Sequence, residues 1–336
     1  MLDLTESNPT KCEFKSLDVL SYFGKAPSFR YEPDPRGLLK AREAVCLYYS
    51  DKKINVHPDD VFLTCGTSEA YSILFHLLCD MGEEVLCQSP TYPLLDHLAA
   101  YAGITARRFD VLPADIGKAK AVVVVNPANP TGLYVDQSVW GDMERYCEKH
   151  ALSMISDEVF FEFDWRNHPR ISGASRSSGL HFTLNGVSKM LGLPQMKIAW
   201  IVLSGPEKER REAAVRLEAV ADAFLSVNTP SQNALSSWLG GKDVFIREMK
   251  DRLRMNFESL RNAIKRPIPE PEGGWYALVP VPEGRSDEDL ALRLLEKQNV
   301  LVYPGYFFDL EKESLVVSLL PEPALFARAA MSLSLI

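Results

Sequence analysis

The chain has no Cys-x-x-Cys pair, although it carries six cysteines: Cys12, Cys46, Cys65, Cys79, Cys87 and Cys147. Cysteines scattered through apolar surroundings read as buried free thiols of a reducing compartment, so a cytoplasmic location is expected. The six histidines show no metal-ligand spacing and read as structural or surface residues, so no metal is expected. No apolar run reaches the roughly 20 residues of a membrane-spanning helix. The opening residues, Met1 to Glu6, lack the basic-then-apolar order of a secretory leader. Basic residues do not outnumber acidic ones: the net charge of −8 argues against a nucleic-acid surface. Internal repeats, low-complexity tracts and long blocks of one charge are missing too. Neither membrane nor nucleic acid is therefore expected as a partner. What remains is an ordinary globular composition in 336 residues, enough for two domains or one large one.

Short apolar runs alternate with helical patterns. Residues 61–64 lead through Gly66 into a helix over 68–79. Residues 84–87 lead through Pro90 into a helix near 94–102. Residues 121–125 end at Asn126-Pro127, residues 152–155 end at Asp157, and residues 181–187 run into Ser188-Lys189. Residues 198–203 form one more buried strand. Continuous apolar strands alternating with helices predict a mainly parallel sheet covered on both faces. Such sheets bind ligands at the carboxyl ends of their strands, where Gly66, Asn129, Asp157 and Lys189 all fall. A long helical pattern over 231–265 leads to a smaller C-terminal part, with strands near 275–279, 300–303 and 315–319. The expected organisation is an N-terminal arm (1–30) packing with the small domain, a large domain (31–240) and a small domain (241–336).

Three motifs carry the chemistry: Asn129-Pro130-Thr131-Gly132, Asp157-Glu158-Val159-Phe160 and Asn185-Gly186-Val187-Ser188-Lys189. Each is unremarkable alone. A lysine is usually solvated, an Asp after a strand is usually a turn or cap residue, and Asn-Pro-Thr-Gly is good turn chemistry. In this order, each after an apolar run, they supply what a pyridoxal-phosphate site needs. The Lys makes a Schiff base, and the Asp pairs with the pyridinium nitrogen.

These motifs resemble the fold type I pyridoxal-phosphate enzymes, specifically the class I/II aminotransferases related to aspartate aminotransferase, over nearly the whole chain. The resemblance implies an α/β fold: a large domain with a mainly parallel sheet flanked by helices, plus a smaller α+β C-terminal domain. It implies a ping-pong transfer of an amino group from an amino acid or amine to a keto acid or aldehyde. Lys189 would be the Schiff-base lysine and proton shuttle, and Asp157 would keep the ring nitrogen protonated. Asn129 would donate to the cofactor's phenolic oxygen, and Tyr92 would stack on the ring. Gly66, Thr67, Ser68, Ser188 and Lys197 would hold the phosphate. Tyr31 would reach the phosphate of a neighbouring subunit, which implies a homodimer with shared sites. Asn8 and Trp275, with Tyr276, would face the substrate.

Four residues depart from the family pattern. Phe160 stands where a Tyr usually donates to the phenolic oxygen. Lys197 stands where an Arg usually forks onto the phosphate, offering charge without bidentate geometry. Gly186 replaces a phosphate-holding Ser. Val316, in Leu315-Val316-Val317-Ser318, takes the place of the Arg that grips a substrate α-carboxylate. Lys11, Arg30 and Arg36 are the cations within reach as replacements. A carbon–sulfur β-lyase on the same scaffold needs the same Lys189, Asp157 and Asn129, and a non-catalytic, regulatory pyridoxal-phosphate-binding protein is a third reading.

Overall fold

The computed structural model describes residues 1–14, 32–165 and 170–334. In chain order the first eight strands are β1 (Leu2–Asp3), β2 (Val61–Thr64), β3 (Glu84–Gln88), β4 (Thr105–Phe109), β5 (Ala119–Val125), β6 (Ser153–Asp157), β7 (His181–Gly186) and β8 (Ala199–Ser204). All but β1 join one seven-stranded sheet, in the order β2-β8-β7-β6-β5-β3-β4. The neighbours from β7 to β4 run parallel, whereas β8 is antiparallel to both β2 and β7. The connection into β8 explains its direction. It holds one helical turn, α5 in the numbering below (Val187–Met190), and a 3-10 turn at Pro194–Met196. That is too little for the helical crossover a parallel return needs.

Helices cover both faces, because successive residues of a strand point to opposite sides. In β5, Ala121 and Val123 pack into a cluster with α2 (Thr67–Leu78), α3 (Leu95–Tyr101) and α6 (Glu207–Phe224). Val122 and Val124 pack the other way, against α4 (Gln137–His150). On that same face α1 (Leu39–Ser50) and α7 (Thr229–Gly240) cover Trp200 and Val202 of β8. Burying each such Val contributes about 1.5–3 kcal/mol. The continuous apolar runs therefore predict the central strands well. Strand β4 is different: it is an edge strand carrying Arg107 and Arg108, and charge on an edge discourages pairing with another chain. Its charged sequence hides it from an apolar pattern.

The remaining strands are β9 (Tyr276–Pro280), β10 (Val300–Leu301), β11 (Tyr303–Pro304) and β12 (Ser314–Ser318). They form an antiparallel sheet in the order β11-β12-β9, and a two-residue parallel pair between β1 and β10. Helices α8 (Lys242–Ala263), α9 (Asp287–Gln298) and α10 (Pro323–Leu333) cover this part through Leu253, Phe257, Leu294 and Phe326. The first residues belong to the same cluster. Leu4 is fully buried there, Ser318 N donates to Leu4 O at 2.6 Å, and Ser318 Oγ donates to Glu6 O at 2.5 Å. Among the described residues no helix is long and apolar enough to cross a membrane.

Candidate active site

One cavity of about 530 Å³ opens at the carboxyl ends of β5, β6 and β7, with the short C-terminal sheet as its far wall. Lys189 reaches it from α5, the single turn that follows β7. Its Nζ lies 5.2 Å from the centroid of the Trp275 ring and 5.8 Å from that of Phe160. Burial pushes the amine below the ordinary lysine value, with the Asp157 charge pulling the other way. A lysine of lowered pKa has more of its amine neutral near pH 7, and so available as a nucleophile and as a base.

Asp157 is the last residue of β6 and lines the same cavity. Its carboxylate accepts from the Tyr71 hydroxyl at 3.1 Å and from Val159 N at 3.1 Å. Burial is the largest influence and pushes its pKa up to about 6, against the pull of those two donors and of Lys189. Behind it, Glu158 turns away from the cavity. It accepts from Ser172 Oγ at 2.6 Å and from Gly173 N at 2.7 Å, and burial raises its pKa to about 8.

Asn129 follows β5 in a loop fixed at several points. Asn126 anchors the start of that loop: its amide donates to Ile171 O, and its carbonyl accepts from Val135 N. Gly132, at φ +72°, closes it, and a Cβ there would meet Gly273 O at 2.2 Å. Asn129 itself is buried in the cavity wall, and its amide oxygen has no hydrogen-bond partner. A buried acceptor without a partner is costly, so its position points to a ligand group that donates to this oxygen.

The phosphate-loop residues sit where α2 begins. Gly66 is the N-cap, no side chain caps the helix, and a Cβ on Gly66 would meet nothing within 4 Å. An uncapped helix N-terminus with an open side is an anion site in form. Thr67 lines the cavity, and Ser68 hydrogen-bonds Tyr92, which lines it too. Ser188 also lines it. Gly186 has a packing reason: a Cβ there would come within 2.7 Å of the Ala199 side chain across the β7–β8 pair, leaving no room for Ser. Lys197 is exposed and is not part of the cavity wall, although its charge is felt at Cys65, beside Gly66. Tyr31 and Arg30 lie outside the described residues.

Of the expected substrate residues, Tyr276 lines the cavity, and Asn8 and Trp275 do not. The Asn8 side chain does not line the cavity. Its oxygen accepts from Thr10 N at 3.0 Å and Thr10 Oγ1 at 2.7 Å, capping the turn Pro9–Lys11, and Ser7 faces the cavity instead. Trp275 is fully buried behind Phe160, and Tyr276 takes the wall. Val316 is fully buried, opposite Leu278 and Tyr303. Neither Lys11 nor Arg36 replaces an Arg there: Lys11 pairs with Glu6 at 3.3 Å, and Arg36 with Glu218 at 2.6 Å. Sequence reasoning missed Tyr71, one helical turn beyond Thr67 and so on the same side of α2. It also missed Tyr303, Phe307 and Phe308, which a run of aromatics between 303 and 308 signals.

The residues present fit pyridoxal phosphate: an acid for a ring nitrogen, a lysine of lowered pKa, an amide side chain in the cavity wall and an anion-ready helix end. Known proteins agree. The profile of the family "Aminotransferase class I and II" matches residues 11–330. A glutamate-pyruvate aminotransferase of Haemophilus influenzae is 26% identical over 92% of this chain and 83% of its own. An alanine aminotransferase of Mycobacterium bovis is 28% identical over 92% of this chain and 79% of its own. The solved alanine aminotransferase of Pyrococcus furiosus superposes with a TM-score of 0.89 at 23% identity, over 99% of this chain and 91% of that one. The aspartate aminotransferase of Thermotoga maritima gives 0.85 at 23% identity, over 99% and 90%. At such identities the structures speak for the fold, and the profile match over almost the whole chain speaks for the family. The chain belongs to the class I and II aminotransferases, fold type I enzymes that depend on pyridoxal phosphate and work on amino acids and keto acids.

Proposed function

We propose that Lys189 is the covalent anchor and proton carrier of this aminotransferase, that Asp157 holds the cofactor's ring nitrogen, and that Asn129 meets its phenolic oxygen. The observation that carries this is their convergence: all three line one cavity, from the ends of three adjacent parallel strands. Bound there, pyridoxal phosphate supplies an aldehyde that captures amines and a ring that takes up the electrons left when a proton departs. The chain's own residues do the rest. Asp157, kept in place by Tyr71 and Val159 N, offers a carboxylate to a protonated ring nitrogen. The N–H groups of Thr67 and Ser68, with the Ser188 hydroxyl, receive the phosphate, and Lys197 adds charge from outside the wall. Tyr92, held by Ser68, stacks on the ring. Lys189 Nζ, on its short helix, takes and returns the proton.

The same proposal includes a homodimer in which Tyr31 serves the neighbouring site. It includes a division near residue 240, supported by the separate apolar clusters of the two parts, with the N-terminal residues belonging to the C-terminal one. Six free thiols, three of them buried, support a cytoplasmic setting. The deciding experiment is Lys189→Ala. It should remove the visible absorbance that survives desalting and slow amino transfer by about a thousandfold or more. Turnover within tenfold of the parent protein would overturn the assignment.

A further inference from the structure

The far wall of the cavity is aromatic. Tyr276, Tyr303, Phe307 and Phe308 line it from β9, β11 and the turn Gly305–Phe308. The Phe308 ring stands 6.0 Å from that of Tyr276 and 5.7 Å from that of Tyr303, edge-on to the latter. Phe160 closes the side towards Lys189. Asp157 is the one carboxylate among the described lining residues, at the opposite end of the cavity, and Glu6, whose charge reaches Tyr276, is paired with Lys11. Among the described residues Lys189 is the one cation in the lining. Arg108, which reaches Asp309 just after the turn, is engaged by Asp96 at 2.7 Å and Asp309 at 3.3 Å. At the strand position where a carboxylate clamp would stand, Val316 is fully buried between its cross-strand neighbours Tyr303 and Leu278 and carries no charge.

An ion placed against such a wall loses its water and gains no partner. An aromatic or aliphatic body loses nothing there and gains ring contacts. We propose that the cavity takes a primary amine on an apolar, aromatic-sized body, with no carboxylate on the carbon that bears the nitrogen. This rests on the reading of Lys189 and Asp157 given above; it keeps the family's amino transfer and departs from amino-acid donors at the carboxylate. The donor's carbon–nitrogen bond is exchanged for a carbonyl, a two-electron oxidation. A carbonyl acceptor becomes an amine, the matching two-electron reduction, so no further oxidant is needed.

The test uses matched pairs on the full-length protein loaded with pyridoxal phosphate. In a single half-reaction followed by absorbance, phenethylamine should exceed phenylalanine in second-order rate by about tenfold or more, the worth of one hydrogen-bonded charge. Calorimetry with two unreactive ligands, 3-phenylpropionamide and 3-phenylpropionate, should show the amide binding more tightly by a similar factor. Carboxylates that react and bind as well as their neutral partners would overturn the proposal. Loss of that carboxylate binding on Arg30→Ala would then locate the missing cation. A spectrum that answers neither amine sinks the transamination reading, and the calorimetric ratio still decides this one. Tyr303→Arg, at a partly exposed wall position, should reverse the preference in both assays. A folded Tyr303→Arg protein with an unchanged ratio counts against a wall that selects by charge.

Discussion

The two ends of the cavity are built on different terms. At the end made by β5, β6 and β7, polar side chains are few, fixed and individually placed. Asp157 has two donors, Asn126 anchors the Asn129 loop, and Gly186 is pressed against Ala199. At the end made by β9, β11 and the turn after it, the lining is aromatic and makes its contacts ring to ring. The first end is set by reaction chemistry, which admits few residue types. The second is set by the shape of whatever it receives, which admits many.

Four experiments sharpen or break this contrast. Asp157→Ala removes the one carboxylate that lines the cavity among the described residues, and amino transfer should fall by about a hundredfold or more. A mild loss, seen in steady-state kinetics at saturating cofactor, would show that another group serves the ring nitrogen. Glu158 tests whether the polar end carries a hidden cost. Its carboxyl keeps a proton to about pH 8 when folded, against an ordinary value of 4.5. Between those values the folded state binds the extra proton, so stability falls as pH rises through that window. Glu158→Gln should flatten the fall, leaving the smaller part that Asp157 contributes up to about 6. Chemical denaturation at a series of pH values reads both slopes.

At the aromatic end, Val316→Ala should cost about 2 kcal/mol of stability, as core truncations do. Denaturation measures that loss, and kinetics should show no special loss for carboxylate substrates, since Val316 does not reach the cavity. The smallest effect belongs to Asn8→Ala. Removing the cap should cost about 1 kcal/mol. An unchanged KM confirms that Asn8 only shapes the turn beside Ser7, whereas a large rise in KM would return Asn8 to the substrate wall.

This asymmetry explains what the sequence discloses. Lys189, Asp157 and Asn129 stand out in the sequence because each lies at or just beyond the carboxyl end of a buried strand, and the roles proposed for them admit few residue types. The mainly parallel sheet is legible for the same reason that its strands are continuous apolar runs. Strand β4 is not, because its two Arg residues suit an edge and break the apolar pattern. Trp275 and Tyr276 are legible as a pair, but which of them faces in is not: a one-residue step along a strand reverses the side chain's direction, and the pairing of β9 with β12 sets it. Asn8 falls one residue from Ser7, which lines the cavity, because its side chain caps the turn Pro9–Lys11. The expected substitutes for the clamp, Lys11 and Arg36, look free in the sequence. Their partners, Glu6 and Glu218, become visible only in three dimensions.

The bond from Ser318 Oγ to Glu6 O joins residues 312 positions apart. During synthesis, every residue proposed to hold the cofactor has left the ribosome long before β12 exists. The strip containing Ser7 must wait, unattached, for nearly the entire chain to emerge. A nascent chain stopped short of β12 thus possesses the reactive lysine in an open trough, and only the last few dozen residues turn that trough into a chamber. Such long-range closure is slow compared with local folding, so enclosure of the site is expected to be among the last events in the protein's maturation.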